Sequence, residues 1–111
     1  MSTQTHETTI VAEKVKIDKP IKYNVIIHDN PLTSFEEVIF IVSRCFEKTE
    51  QEAEGIASIV HVEKRGVCGT YDKEIAESKL IIVDLAKQYL INNLPHRATG
   101  INALKFTMEQ A

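Results

Sequence analysis

The sequence predicts an α+β domain: a small antiparallel three-stranded sheet with three helices packed on it, in the order β-α-α-β-α-β, behind a flexible N-terminal tail. Three observations carry this prediction. Apolar residues alternate at Ile21, Tyr23, Val25 and Ile27, and again at Leu104, Phe106 and Met108, which is the period of a strand. Between them stand two Thr-x-x-Glu pairs, Thr33 with Glu36 and Thr49 with Glu52, each followed by apolar residues at helical spacing. A short glycine-bounded run, Val67 to Tyr71, then leads into a third helical stripe.

Residues 1–20 carry threonines, balanced charges and no aromatic side chain, so they read as a flexible extension ending at Pro20, with residues 21–111 as the folded domain. In the first strand Ile21, Tyr23, Val25 and Ile27 share one face, and Lys22, Asn24 and Ile26 the other. Thr33 opens the first helix, whose buried stripe is Phe35, Val38, Ile39, Val42, Cys45 and Phe46. Thr49 opens the second, which buries Ala53, Ile56, Ala57 and Val60. Lys64 and Arg65 suit the C-terminal end of that helix, and Gly66 suits a left-handed residue after it. Asp72 caps the third helix, with Ala76, Leu80, Val83, Ala86 and Leu90 facing inward. Asn92 to Asn102 reads as a loop by its turn chemistry, and Leu104 to Met108 as the last strand.

A chain of 111 residues makes one core without staples. The formal net charge of −3 offers no basic stripe, which argues against nucleic acid as a partner. Cys45 and Cys68 lie in apolar-patterned segments without metal-ligand spacing, so they read as buried free thiols of a reducing compartment. No apolar run is long enough to span a bilayer and no signal-peptide pattern is present, so the expectation is a soluble intracellular protein, cytoplasmic or of an organelle stroma.

The stretch Tyr23 to Val38 carries the most chemistry. A strand runs into the polar turn Asp29-Asn30-Pro31 and then into a capped helix, which sets acceptor groups at the mouth of an apolar core. That suits a ligand with a cationic head and a hydrophobic side chain. His61, at the end of the second helix, either bonds a nearby carbonyl or completes a polar rim over that pocket. Asp29 and Asn30 equally serve a plain turn. An enzyme built on His28, Asp29, His61 and Cys68 has only residue types in its favour. The chain has no phosphate loop, dinucleotide turn, nucleophile elbow or metal spacing, so no cofactor, metal or catalytic residue is expected.

The chain resembles the ClpS adaptor family, which recruits N-degron substrates to Clp ATPase–protease machines. The resemblance rests on Tyr23-Asn-Val-Ile-Ile-His-Asp-Asn-Pro with Thr33 and Phe35, on Val60-His61, on Gly66-Val-Cys-Gly-Thr-Tyr71, on Glu74-Ile-Ala-Glu-Ser-Lys79 and on Leu104 to Ala111. It covers residues 21–111 apart from the segment before the last strand. It implies a non-catalytic, monomeric adaptor that binds the free α-amino group and the bulky first residue (Leu, Phe, Tyr or Trp) of a substrate. Neither cofactor nor membrane enters that activity.

By the same resemblance, Asp29, Asn30 and His61 hold the α-amino group. Asp29 stands at the family's usual Asn position, Asn30 at its Asp position, and Pro31 brings no second carboxylate. Ile27, Thr33, Val38, Val60 and Leu104 line the side-chain pocket. Phe35 stands at its mouth where many members carry a methionine gatekeeper, and Ala57 where some carry a second one. The resemblance further implies that β-branched first residues bind poorly, that Glu74 and Lys79 dock on the N-domain of a ClpA- or ClpC-type ATPase, and that residues 1–20 enter the ATPase during hand-off. Two other readings stand beside it. One is a ClpS-like modulator that docks without binding N-degrons; the other is a small enzyme using His61 and Cys68.

Overall fold

The computed structural model describes residues 21–111; the expected N-terminal extension lies outside the described residues. Strand β1 (Lys22–His28) is the centre of a three-stranded antiparallel sheet, with β2 (Arg65–Asp72) on one side and β3 (Lys105–Gln110) on the other. Helices α1 (Phe35–Cys45) and α2 (Glu50–Glu63) connect β1 to β2, and α3 (Lys73–Asn93) leaves β2. The α+β class and the antiparallel three-stranded sheet are as the sequence predicts, with one short helix more than the three expected.

The core lies between the sheet and the helices. Val25 and Ile27 point into it from β1 and meet Val38, Ile41 and Val42 of α1, Ala53, Ala57 and Val60 of α2, and Ala76, Val83 and Leu90 of α3. Ile26 is also buried, outside that cluster, in the central strand opposite Val67 and Thr107. The register slips between Val25, opposite Gly69, and Ile26, opposite Val67, which makes Cys68 the extra residue of a β-bulge. The bulge aims Cys68 into the core, where it is 1% exposed. Both cysteines are free and buried, as expected.

Local details differ from expectation where a long-range bond outbids a local one. The first capping box is Ser34 with Glu37, one residue later than Thr33 with Glu36. Thr33 is unavailable because its hydroxyl donates to the carbonyl of Gly100 at 2.7 Å. Thr49 and Glu52 do form the second box. The left-handed residue after α2 is Lys64 (φ 74°), so Gly66 already lies in β2. Gly66 is small for another reason: a Cβ there would stand 2.8 Å from a methyl of Val60. Asp72 begins α3 without capping it through its side chain, which instead takes a hydrogen bond from Lys22 at 2.7 Å.

The expected loop from Asn92 to Asn102 is mostly helical. After α3 ends at Asn93, Pro95–Arg97 form a 3₁₀ turn and Ala98–Ala103 a fourth short helix, α4. Leu104 closes α4, so β3 starts one residue later than the alternation suggests. Turn-forming residues hid a segment whose order comes from tertiary contact. Asn30 Nδ2 donates to the carbonyl of Ala103 at 3.3 Å, and Thr33 holds Gly100.

Gly100 is buried under this contact, and a Cβ there would collide with the backbone carbonyl of Leu32. Alanine in a helix ordinarily gains about 1 kcal/mol over glycine. At this position overpacking against backbone is the larger effect, so Gly100→Ala should lower unfolding stability by about 1–3 kcal/mol in urea denaturation. A stabilised variant would show that α4 does not press on the Leu32 turn.

Candidate functional site

β1 ends at His28, and the chain turns at Asp29-Asn30-Pro31 across the end of α2. A backbone bond fixes this approach: the amide of Asp29 donates to the carbonyl of Lys64 at 2.9 Å. A cleft of about 500 Å³ opens between the turn, the start of α1 and the last two turns of α2. Its polar rim is Asp29, Asn30, His61 and Lys64; Thr33 and Pro31 lie at the turn, and Val38, Ala57, Val60 and Phe35 make the apolar wall. Val38, Ala57 and Val60 are buried, whereas Phe35 is 45% exposed at the mouth.

Eight of the ten residues that the sequence assigns to ligand binding therefore meet around one cleft. Ile27 and Leu104 do not line it; they are buried in the core behind it. His61 is solvent-exposed on the rim, while Cys68 is buried in the core. Desolvation pushes the Cys68 thiol up to about 12, far from a reactive thiolate at neutral pH. Burial also raises the Cys45 thiol.

The two polar residues of the turn differ in what they have left to offer. Asn30 Oδ1 accepts from the amide of Leu32 at 2.9 Å, closing an Asx turn, and its Nδ2 is engaged with Ala103. The Asp29 carboxylate is about one quarter exposed, and among the described residues its ion-pair partner is the Lys64 ammonium, 3.7 Å away. Charge on the rim thus resides in Asp29 and Lys64. Sequence reasoning used Lys64 only as a favourable cation at a helix end. Its spacing of three from His61, which puts both on one side of the last helical turn, is the signal that points to the site.

A second group of residues shapes the rim without lining it. Arg97 reaches from the 3₁₀ turn and donates through Nε and Nη2 to the two carboxylate oxygens of Glu37, each at 2.9 Å, and through Nη2 to the carbonyl of Leu32 at 2.9 Å. Glu37 is 7% exposed and also accepts from the amide of Ser34. These bonds tie the turn, the cap of α1 and the α4 segment into one unit. A partner sixty residues away has no local sequence signal.

Glu74 and Lys79 share α3 but face different surroundings. Glu74 is exposed in the first turn. The Lys79 side chain is only 13% exposed; its ammonium donates to the carbonyl of Cys45 at 3.0 Å and lies 3.4 Å from Glu47. Among the described residues no cluster of His, Cys, Asp and Glu forms a metal site, and no helix is long and apolar enough to cross a membrane.

The hydrogen bond from Arg97 holds the Glu37 carboxyl below the usual carboxylate range. A depressed folded value means that this stabilisation is present above the unfolded carboxyl value, near 4.3, and is lost as pH falls through the folded one. Glu37→Gln should therefore be less stable than the parent by about 1–2 kcal/mol at neutral pH. The gap should close on acidification below about pH 4. Denaturation midpoints measured across that range check this; a gap independent of pH would assign the loss to packing.

With this geometry in view, comparison with known proteins identifies consistent relatives. The family profile described as ATP-dependent Clp protease adaptor protein ClpS matches residues 18–92. The ATP-dependent Clp protease adapter protein ClpS of Myxococcus xanthus is 35% identical over 95 residues, 83% of this chain and 87% of the relative. That of Desulfotalea psychrophila is 40% identical over 88 residues, 78% of this chain and 83% of the relative. Among solved structures, ClpS2 of Agrobacterium tumefaciens bound to L-phenylalaninamide superposes with a TM-score of 0.67 at 22% identity, covering 84% of this chain and all of that one. At that identity the likeness speaks for the fold.

Proposed function

Since the chain belongs to the ClpS family of Clp protease adaptors, a family of adaptors and not of enzymes, we propose that its cleft binds the free N-terminus of a substrate protein. The first residue of that substrate is bulky and apolar. The observation that carries the proposal is the cleft itself: one carboxylate, Asp29, on the rim of an apolar wall made by Val38, Ala57 and Val60. A cation taken partly out of water needs such a partner, and a large side chain needs such a wall. L-phenylalaninamide, the ligand of the related ClpS2 structure, has both features.

In this reading Asp29 meets the α-ammonium. Asn30 supports it from behind, because its amide is spent on Leu32 and Ala103. His61 accepts a hydrogen bond from the amino group through a ring nitrogen. Phe35 is the gatekeeper, a rigid ring opposite small Ala57, which favours unbranched and aromatic first residues over Ile and Val. The adaptor then docks on the N-domain of a ClpA- or ClpC-type ATPase, with Glu74 as the contact offered to solvent. Lys79 is held against Cys45 and Glu47 and acts chiefly by fixing α3. Residues 21–111 are the adaptor domain in this scheme, and residues 1–20 engage the ATPase during delivery.

Fluorescence anisotropy with labelled peptides beginning with Leu or Phe tests the reading. The free peptides should bind, and N-acetylation should weaken them by about ten- to a hundredfold, the range for loss of a charged hydrogen bond. Asp29→Ala should cause a loss of similar size. The absence of binding to every free peptide would replace this reading with that of a docking-only modulator.

The same assay isolates His61. His61→Ala should weaken the free peptides by about two- to tenfold, the range for loss of one hydrogen bond, and leave the acetylated peptides unchanged. Unchanged affinity for the free peptides would remove His61 from the amine site.

A further inference from the structure

Lys64 is the residue of the cleft that neither the motif comparison nor the proposed binding mode uses. Its backbone is left-handed (φ 74°), one of two such non-glycine residues among those described. L side chains rarely adopt this conformation, and a glycine would take it at lower cost. Position is fixed by the backbone: the Lys64 carbonyl accepts from Asp29 N, and its amide donates to the carbonyl of Val60 at 2.8 Å. The side chain leaves from there across the rim. Its ammonium lies 3.7 Å from Asp29 Oδ2 and donates to the carbonyl of His61 at 3.3 Å.

We propose that Lys64 is a built-in competitor that occupies the amine subsite of the free protein with its own ammonium and is displaced when a substrate N-terminus enters. The inference rests on the reading of the cleft as an N-terminus site. The tethered cation and the incoming one are both alkylammonium groups, and both seek the single carboxylate on the rim. Exchange of one for the other leaves little net electrostatic gain. Every free amine then binds more weakly by a common factor, and only a ligand with a large apolar side chain to bury against Val38, Ala57 and Val60 stays bound at low concentration. Lys64 thus lowers what the charge of any N-terminus contributes and leaves the first side chain, which identifies a substrate, as the larger share of the affinity.

The cost of displacement is small, because the Lys64 side chain is 74% exposed. An exposed ion pair corresponds to about a two- to fivefold change in affinity. The test compares the full chain with Lys64→Met, which keeps the length and the left-handed backbone of a non-glycine residue, and with Lys64→Arg, which keeps the charge. Affinity for a Phe-initiated peptide, free and N-acetylated, is measured at low salt and at about 0.5 M NaCl, where exposed pairs are screened.

Lys64→Met should bind the free peptide about two- to fivefold more tightly than the parent at low salt, and the gain should vanish at high salt. It should leave the acetylated peptide unchanged. Lys64→Arg should match the parent, and in an Asp29→Asn background Lys64→Met should bring no gain. A residue of purely structural importance would not produce this dependence on acetylation, salt and Asp29. Equal or weaker binding of the free peptide by Lys64→Met at low salt would overturn the proposal while leaving the N-terminus reading in place. If no protein in the series bound any free peptide, the subsite itself would be refuted and both would fall.

Discussion

The bond from the amide of Asp29 to the carbonyl of Lys64 joins the end of the central strand to the end of α2, and the arrangement of the cleft follows from it. β1 is fixed because it is paired along both edges, so its last residues leave the sheet at a defined point and in a defined direction. α2 is fixed because Ala53, Ala57 and Val60 are packed into the core. Where these two constrained elements meet, a carboxylate, an imidazole and an ammonium come within one rim without any residue of the rim having to be buried. The apolar wall beneath is the continuation of the same core, since Val38, Ala57 and Val60 belong to both. Site and core are made by one packing decision.

The eleven-residue segment between α3 and β3 supplies the second constraint. A turn such as Asp29-Asn30-Pro31, exposed and short, has little reason of its own to hold one shape. Here Arg97 grips Glu37 and the Leu32 carbonyl, Gly100 and Ala103 supply carbonyls to Thr33 and Asn30, and the turn is held from the side away from the cleft. In the proposed binding mode, ordering the rim before a ligand arrives reduces the conformational entropy that binding must overcome. It also explains why the side chain of Asn30, chemically suited to a ligand, is already in use.

What was legible in the sequence was what depends on period and on neighbours. Alternation from Tyr23 to Ile27 gave β1, the Thr49–Glu52 box gave the start of α2, and spacing along α1 to α3 gave most of the core. Ile41, beside Val42 and three residues after Val38, widens the buried face of α1 beyond the apolar stripe and is 0% exposed. The α1 cap, the left-handed residue after α2 and the helical turns from Pro95 to Ala103 were misplaced. Each depends on a partner far away in the chain, such as Gly100 for Thr33 or Asp29 for Lys64, and short-range chemistry offers alternatives of nearly equal energy. The cleft was legible only as a set of motifs. Which of its polar groups is engaged and which is available emerged from the folded structure, where Asn30 closes a local turn on Leu32 and also reaches Ala103 across 73 residues.

The lateral hold on the turn has a consequence for when the protein becomes competent. Synthesis runs from the N-terminus, so Asp29, His61 and the apolar wall emerge from the ribosome well before Arg97, Gly100 and the strand β3 that completes the pairing of β1. A chain that stops short of Pro95 contains every residue of the rim but neither the clamp on the turn nor the second neighbour of the central strand. The last residues made thus act as the seal on a cleft whose rim is synthesised long before them.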